Sequence, residues 1–359
     1  MSSHEYKLAL RKLEPQIAAR DCLLKVESLV FNTARGKQEL MMSLISEFIF
    51  SEHLPPHSIS SLQEFHLVLA LSDYFCKSSL PEQTSNAVFI LLFGGTISPS
   101  RISVLTKLTS TAISAQLSQV LNCVGTLMQQ VGFQSVTSIE LAKNLVQDFV
   151  VFSSKASQQL SDLPKIAPRF ACNFMTAVTC LYLVETNQKS PLIEPPFLLL
   201  ELFTNWITEN PSLCLASQQP LMLPSGMLSM PNETPLAGLI RWSCVAALIS
   251  KKEIYSKLHL SILQSLLQAK PVTGPPVALN ATHLQLIVTI FQLRVEEMGK
   301  SAEKSEAVQL SLERFAQCIQ VAMASQCIYG NIPQLIIRLE SLRPTNQLMQ
   351  IVINNYKNN

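Results

Sequence analysis

Residues 310–328, LSLERFAQCIQVAMASQCI, decide the class of fold that the sequence predicts. Apolar residues recur there at the spacing of one helical face: Leu312, Phe315, Ile319, Ala322 and Met323. The polar stripe is narrow and holds Glu313, Arg314, Gln317 and Gln320. A helix that packs on a single core needs an apolar arc of only about 100°. We therefore predict a helix that packs on two sides, the second covered either by this chain or by another.

Charge is scarce along the whole chain. Charged residues make up 14% of its 359 residues, whereas an average soluble domain has about 25%. The net charge of +2 gives no long-range field that would attract nucleic acid. We expect an obligate subunit, whose interfaces resemble a core cut in half. A monomer with a polar but weakly charged surface is the alternative.

Neither of the two long apolar runs predicts a membrane span. The runs at residues 87–97 and 170–184 are shorter than the roughly 20 apolar residues that a span needs. The N-terminal residues contain no apolar signal segment, so we expect no signal peptide. With no membrane span either, we expect a soluble protein. Nine cysteines are spread through apolar stretches without a CxxC pair, which is typical of proteins in a reducing compartment.

Helical periodicity recurs through the chain, and proline separates the periodic segments. Four stripes illustrate it: Leu23/Val26/Val30, Leu62/Phe65/Leu69, Leu105/Leu108/Ala112 and Ile262/Leu266. The chain holds only 10 glycines, too few for a sheet protein with many tight turns. We predict an all-α fold, an irregular HEAT-like helical array (α-solenoid) of roughly fourteen helices.

Capping residues and prolines indicate where helices begin and where the array divides. Ser98-Pro99 predicts a helix that starts with an N-cap serine and a first-turn proline. Thr137 followed by Glu140 resembles a capping box. Residues 211–233 contain four prolines and no regular period. We predict an N-terminal helical array at 1–210, a Pro-rich loop or strap at 211–233 and a C-terminal helical array at 234–359.

The sequence contains no motif that predicts an enzyme or a cofactor site. Among the six histidines only the loop pair His53/His57 has a spacing near that of metal ligands, and no third ligand lies near it. A GxSxG nucleophile elbow is absent, and Gly94-Gly95, the closest approach to a phosphate-binding loop, lacks the following GK[ST]. We predict no catalytic residue, no metal and no cofactor.

Two charged residues stand inside apolar segments, Asp148 in LVQDFVVF and Arg241 in GLIRWSC. A buried charge is costly unless it is paired, so we predict a structural ion pair between helices for both. The alternative is an enzyme whose dispersed site brings Asp148, Arg241 and His259 together in a pocket.

Several long motifs occur in an order that resembles one known family. They are SPSRISVLTKL, IELAKNLVQDF, APRFACNFMTAVTCLY, TPLAGLIRWSC, YSKLHLSILQSLL and LSLERFAQCIQVAMAS. Together with SSLQEFHLVLALSDYF and NQLMQIVI they resemble the Integrator complex subunit 15 family over nearly the whole chain. The family's basic insertion before YSKLHLS and its Pro-rich continuation after QLMQIVI are not found here.

The resemblance implies a non-catalytic, all-helical scaffold subunit in the nucleus. It implies partners among the other Integrator subunits, most of all subunit 10 and its module with subunits 13 and 14, which the chain would link to the rest of the assembly. The processes implied are small nuclear RNA 3′ processing and attenuation of RNA polymerase II transcription, with an indirect association with the polymerase. Direct RNA binding is not expected. A helical adaptor of another large intracellular complex is the alternative.

A scaffold needs large weakly polar surfaces that other proteins cover. The two helices with too little polar surface, at 255–268 and 310–328, are the candidate contact faces. Within them we predict five partner-interface residues: Tyr255, Lys257, His259, Arg314 and Phe315. For each of them a position in the core is the competing explanation, above all for Phe315.

Overall fold

The computed structural model describes residues 3–32, 34–52, 60–77, 79–95, 98–152, 157–184, 192–223, 233–269, 278–343 and 345–358. These residues form eighteen α-helices and one parallel bridge, in which Leu279–Asn280 (β1) pairs with Ile328–Tyr329 (β2). The predicted all-α class is therefore confirmed. The count exceeds the roughly fourteen predicted because short helices with no readable apolar period are also present.

The chain divides into two compact units. Unit 1 comprises Met1–Asp148 and Pro220–Met230, and unit 2 comprises Phe149–Gln219 and Pro231–Asn359. The chain changes unit after Asp148, in the π-helical segment Gln147–Val151, and again after Gln219 and after Met230, both within residues 211–233. The predicted division into arrays at 1–210 and 234–359 stays a prediction. No Pro or Gly marks the π-helical segment, so its sequence gave no sign of a boundary.

Unit 1 is a stack of helices in two layers. Its described residues form α1 (Ser3–Leu10), α2 (Pro15–Leu29), α3 (Arg35–Leu44), α4 (Ser61–Phe75), α5 (Glu82–Phe93), α6 (Pro99–Ser114), α7 (Ser118–Val131) and α8 (Val136–Val146). A π-helical turn, Ile45–Ile49, extends α3. One layer is α2, α4, α6 and α8 side by side, and α5 packs against α7 in the other. Alternate helices of the chain are thus neighbours, as in HEAT-like arrays.

Aromatic rings and one ion pair fill the core of unit 1. The ring centroid of Phe89 lies 5.0 Å from that of Phe75 and 5.0 Å from that of Phe93. Beside them Arg101 Nη2 lies 2.7 Å from Glu52 Oε2, and its guanidinium stacks 4.6 Å from the Phe50 ring centroid. Arg101 is buried, but its guanidinium nitrogens all have acceptors. Nε and Nη2 donate to the Glu52 carboxylate, and Nη1 donates to the carbonyl oxygen of Leu92 at 3.0 Å.

One of the two predicted helix starts is confirmed and the other is corrected. The Ser98 hydroxyl accepts the backbone N–H of Arg101 at 3.3 Å, and Pro99 opens α6. The predicted capping box at Thr137 is wrong, because α8 begins two residues earlier than an N-cap at Thr137 would place it. Its N-cap is Ser135, whose hydroxyl accepts the N–H of Ser138 at 3.2 Å.

Unit 2 repeats the two-layer arrangement. Its described residues form α9 (Ser157–Leu160), α10 (Leu163–Ile166), α11 (Pro168–Thr179), α12 (Phe197–Glu209), α13 (Leu236–Val245), α14 (Ile254–Gln268), α15 (Ala281–Met298), α16 (Glu306–Ala324), α17 (Ile332–Glu340) and α18 (Gln347–Asn358). Even-numbered helices from α12 to α18 form one layer, and odd-numbered helices from α11 to α17 form the other. Short 3-10 helices follow α12, α13 and α15.

The helix α16 contains the residues from which the fold class was predicted. Leu312, Phe315, Ile319 and Ala322 are buried. α16 packs against α14 and α18 on its flanks and against α13 behind. The predicted two-sided packing is therefore present, and this chain supplies the second side.

The predicted Pro-rich loop contains regular structure. Residues Pro211–Gln218 form a 3-10 helix that packs against α11, α12 and α14, with Leu213 and Cys214 buried. A 3-10 helix has no 3.6-residue period, which explains why its sequence looked irregular. Residues 224–232 lie outside the described part of the chain.

All nine cysteines are free thiols, and seven of them are buried. Burial raises the pKa of Cys244 to about 12 and that of Cys172 to about 11, since a thiolate would lose its hydration there. The cysteines act as small hydrophobic residues of the core. Within the described residues, no helix combines the length and apolar character that a membrane crossing requires.

Candidate protein interfaces

The helix α4 presents an apolar stripe to solvent. Leu62 is 65% exposed and Phe65 57% exposed, and Leu69 one turn further is also exposed. The spacing i, i+3, i+7 places the three side chains on one face. Scattered exposed leucines are ordinary on protein surfaces, but an aligned set that includes an aromatic ring indicates a contact surface.

The opposite side of α4 explains why this stripe faces outward. Leu67, Val68 and Leu71 point into the core of unit 1. Glu64 is buried beside them, accepts a hydrogen bond from Ser103 at 2.6 Å and pairs with Lys107. These contacts fix the rotation of α4 about its axis, so that Leu62, Phe65 and Leu69 cannot turn inward.

The neighbouring helix α2 widens the apolar surface. Ile17 and Leu24, two turns apart, are about half exposed. The two helices run in the same direction, since residues 14–19 lie beside 62–67 and residues 20–24 beside 70–77. Two contacts join them: Arg20 Nη2 lies 3.0 Å from Asp73 Oδ2, and the Tyr74 hydroxyl donates to Glu27 Oε2 at 3.0 Å. We call the five side chains Ile17, Leu24, Leu62, Phe65 and Leu69 the α4 surface.

A groove with two hollows separates α2 from α4. The first hollow has a volume of about 430 Å³, and its walls include Ala19, Leu62 and Leu67. The second has a volume of about 420 Å³, and its walls include Leu23 and Ala70. The α4 surface therefore combines projecting side chains with recesses that are partly apolar.

Unit 2 presents a second apolar stripe on α14. Leu260 is 61% exposed and Leu267 55% exposed, and these residues lie two turns apart on the outer face of the helix. Lys257 and Gln264 are exposed on the same face. We call these four side chains the α14 surface. The helix is one of the two that the sequence predicted as contact faces.

The five predicted interface residues are divided between this surface and the core. Lys257 is exposed on the α14 surface. Tyr255, His259, Arg314 and Phe315 are buried within the chain. Their contacts are internal, and a role of these four side chains in a partner interface stays a prediction that no observation tests.

Polar partners account for the burial of Arg314 and Tyr255. Arg314 Nη1 donates to the carbonyl oxygen of Ser243 at 2.8 Å, and Nη2 donates to the Ser256 hydroxyl at 2.8 Å. The Tyr255 hydroxyl donates to Glu194 Oε2 at 3.1 Å. Burial, then the adjacent Glu194 carboxylate, raise the pKa of Tyr255. Such cross-helix contacts stabilise the packing of unit 2.

His259 is a buried histidine between α14 and α16. Its Nε2 is 2.7 Å from Gln317 Oε1, and its Nδ1 is 3.8 Å from Cys318 Sγ. Burial lowers the pKa of His259, and the Arg314 guanidinium lowers it further against the hydrogen bond to Gln317. The side chain thus works as a buried hydrogen-bonding group.

Asp148 and Arg241 do not form the predicted ion pairs within the part of the chain that the structure describes. Asp148 is exposed and accepts a hydrogen bond from the Ser110 hydroxyl at 3.1 Å. Arg241 donates to the backbone carbonyl of Thr179. An exposed carboxylate needs no charged partner, and the carbonyl oxygen partly compensates the half-buried guanidinium.

The dispersed enzyme site stays an untested alternative. Asp148 belongs to unit 1 and Arg241 and His259 to unit 2, and each has a different hydrogen-bond partner. Among the described residues, no three His, Cys, Asp or Glu side chains come together as metal ligands would. The pair His53/His57 lies outside the described residues.

The sequence predictions do not include the α4 surface among the contact faces. In the sequence, Leu62, Phe65 and Leu69 indicate only helical periodicity. One feature of the sequence does point to a contact surface on α4. The helix also carries Leu67, Val68 and Leu71 and is therefore apolar over most of its circumference, more than one core can cover.

Comparison with known proteins identifies the family. The family model described as Integrator complex subunit 15 matches residues 4–344. The Drosophila melanogaster protein named Integrator complex subunit 15 is 42% identical over 378 residues, which cover 99% of each chain. The Homo sapiens protein of that name is 32% identical over 87% of this chain and 77% of its own length. The Danio rerio protein is 30% identical over 96% of this chain and 79% of its own length. This chain belongs to the Integrator complex subunit 15 family.

Proposed function

We propose that the chain is a non-catalytic scaffold subunit of the Integrator complex in the nucleus. It links the module of Integrator subunits 10, 13 and 14 to the rest of the assembly. Through that link it serves small nuclear RNA 3′ processing and attenuation of RNA polymerase II transcription. Its association with the polymerase is indirect, through other subunits.

One structural observation supports the scaffold role independently of family membership. Each unit presents its own exposed apolar stripe, Leu62/Phe65/Leu69 in unit 1 and Leu260/Leu267 in unit 2. A linker needs two contact surfaces, and interface cores are rich in aromatic and aliphatic side chains. The small charge of +2 favours protein partners over RNA.

Affinity purification from nuclear extract with quantitative mass spectrometry tests the proposal. The unsubstituted tagged chain is compared with two double variants, Leu62→Asp with Leu69→Asp, and Leu260→Asp with Leu267→Asp. A carboxylate at the centre of an apolar interface is desolvated without a partner. We expect each double variant to lose a different set of Integrator subunits by at least fivefold, because each surface has its own partner.

Val136→Asp is the matched control. Val136 is 69% exposed, lies in unit 1 and occupies the first position of α8, where an acidic residue suits the helix N-terminus. It should retain every subunit. Recovery of the unsubstituted chain without any Integrator subunit would refute membership. The link through two surfaces would be refuted if both double variants lost the same set of subunits. It would also be refuted if neither variant lost any subunit.

A further inference from the structure

We propose that the α4 surface binds one amphipathic helix of another Integrator subunit, which lies in the groove between α2 and α4. This inference rests on the proposed function and names the kind of partner segment that unit 1 takes. The partner helix places apolar side chains at i and i+7 into the two hollows. Leu62 lines the first hollow and Leu24 the second, and Phe65 and Leu69 are exposed on α4 outside the two hollows.

The dimensions of the surface fit a single helix. Leu62 to Leu69, and Ile17 to Leu24, each span seven residues, or about 10 Å along a helix at 1.5 Å per residue. The hollows lie at opposite ends of the groove, also about two turns apart. Two turns of a helix have the same length, so side chains seven residues apart on the partner reach both hollows.

The area of the surface is too small for a globular partner. Neighbouring helix axes lie about 9 Å apart, so the five side chains cover an area of a few hundred Å². A standard interface buries about 800 Å² on each partner. A folded domain that docked here alone would therefore bind weakly, whereas one helix of a subunit held elsewhere in the complex needs no more than this area.

Backbone chemistry favours a helix over an extended segment. The backbone groups of α2 and α4 are bonded within their own helices, so they offer no partners to an added strand. A strand on this apolar surface would leave its own buried N–H and C=O groups unsatisfied. A helix satisfies its backbone internally and presents only side chains.

The charges at the groove do not favour nucleic acid. Arg20 and Asp73 pair with each other across the groove at 3.0 Å. The second hollow is also lined by Asp21 and Lys77, which carry opposite charges, and the ionisable lining of the first is Glu14 and His66. A phosphate backbone requires a cluster of unpaired cations, and this groove does not supply one.

Site-specific photo-cross-linking in the intact complex tests the inference. Phe65 is replaced by p-benzoylphenylalanine in the tagged full chain, and Val136 is replaced in the same way as the exposed control. Cross-linked peptides are sequenced by mass spectrometry. We expect position 65 to cross-link to one segment of another Integrator subunit with apolar residues at i, i+3 or i+4, and i+7. Position 136 should not cross-link to that segment.

A synthetic peptide of the cross-linked segment then measures direct binding. Fluorescence anisotropy with the full chain should show an affinity at least tenfold weaker for Leu62→Asp with Leu69→Asp and a change of less than twofold for Val136→Asp. Circular dichroism should show the peptide gaining helix on binding. Matching thermal melting curves of the variants would confirm that the full chain folds.

Several results would overturn the inference. One is a cross-link from position 65 to RNA, to a second copy of this chain or to a segment without helical periodicity. Another is a peptide that binds the Leu62→Asp/Leu69→Asp variant as tightly as the Val136→Asp variant. Absence of a cross-link at position 65 in a complex that still contains the chain refutes the helix site and leaves the proposed function intact. A chain that recovers no Integrator subunit refutes the proposed function itself.

Discussion

Glu64 and Phe65 are consecutive residues of α4 that exchange the usual positions of a carboxylate and an aromatic ring. Glu64 is 9% exposed and Phe65 is 57% exposed. The carboxylate binds Ser103 and Lys107 of the neighbouring helix α6, and the ring faces solvent. An exposed aromatic ring within an apolar stripe is typical of a surface that contacts another protein.

Substitution of these two residues should have unequal effects on the stability of the chain. Glu64→Ala removes the acceptor of Ser103 and Lys107, so the free energy of unfolding should fall by about 1–2 kcal/mol. Phe65→Ala removes a ring with few internal contacts and should change it by less than about 0.5 kcal/mol. Urea denaturation of the full chain measures both values. A large destabilisation by Phe65→Ala would show that the ring belongs to the core.

The Arg101–Glu52 ion pair should make stability depend on acid pH. Burial raises the pKa of Glu52, but hydrogen bonds from Arg101, Ser46 and Ser98 outweigh it and hold the pKa at about 2. The folded pKa is thus below the unfolded value of about 4.3. The stabilisation is complete above the unfolded value and is lost as the pH falls towards 2.

Glu52→Gln tests this ion pair. At pH 7 the variant should be less stable by about 2 kcal/mol, since Arg101 loses its charged partner. Between pH 5 and pH 2.5 its stability should fall less than that of the unsubstituted chain. Chemical denaturation across this pH range measures the difference, and parallel curves would contradict the assignment.

Gly238 should be the least replaceable glycine among those described. A Cβ atom there would lie 2.1 Å from Thr179 Oγ1 and 2.3 Å from Thr179 Cβ, where α13 crosses α11. Gly238→Ala should therefore destabilise unit 2 by about 2–3 kcal/mol. Gly36→Ala is the matched control, since its Cβ meets no atom within 4 Å. The control should be neutral or stabilising by about 0.5 kcal/mol in thermal unfolding.

His259 should weaken unit 2 as the pH falls below neutrality. Burial lowers its pKa in the folded chain, so the unfolded chain with a pKa of about 6.5 binds the proton first. Stability is complete above the unfolded pKa and is lost as the pH falls below it. Glu233 has the opposite tendency, because burial raises its pKa to about 7.

Comparison with His259→Gln isolates the contribution of His259, because Glu233 is present in both proteins. The difference in free energy of unfolding between the unsubstituted chain and the variant should shrink from pH 7.5 to pH 5.5. A difference that stays constant over this range would mean that His259 is protonated in the folded chain.

The sequence predicted the architecture well because it depends on local signals. Helical period, proline and capping residues recur in each segment, and they set the all-α class and the start of α6 at Ser98-Pro99. Cys172 and Cys214 appeared as core residues from their apolar neighbours alone. The 3-10 helix Pro211–Gln218 was missed because it is held by contacts with α11 and α14, which leave no local period.

The candidate surfaces could not be assigned from the sequence because periodicity does not say which face of a helix meets solvent. Leu105 and Leu62 belong to equally regular stripes, yet Leu105 is buried and Leu62 is exposed. Arg314 looked like a surface residue, and only the fold brings the carbonyl oxygen of Ser243 within 2.8 Å of it. Contacts between distant segments decide such positions.

Hydroxyl-radical footprinting of the free full chain and of the assembled Integrator complex would show whether a partner covers the α4 surface. Phe65 should be oxidised rapidly in the free chain and at least fivefold more slowly in the complex, because a partner helix shields its ring there. Phe75, which is buried in the core of unit 1, should be oxidised slowly in both. Equal oxidation rates of Phe65 in the free chain and in the complex would mean that no partner covers the α4 surface.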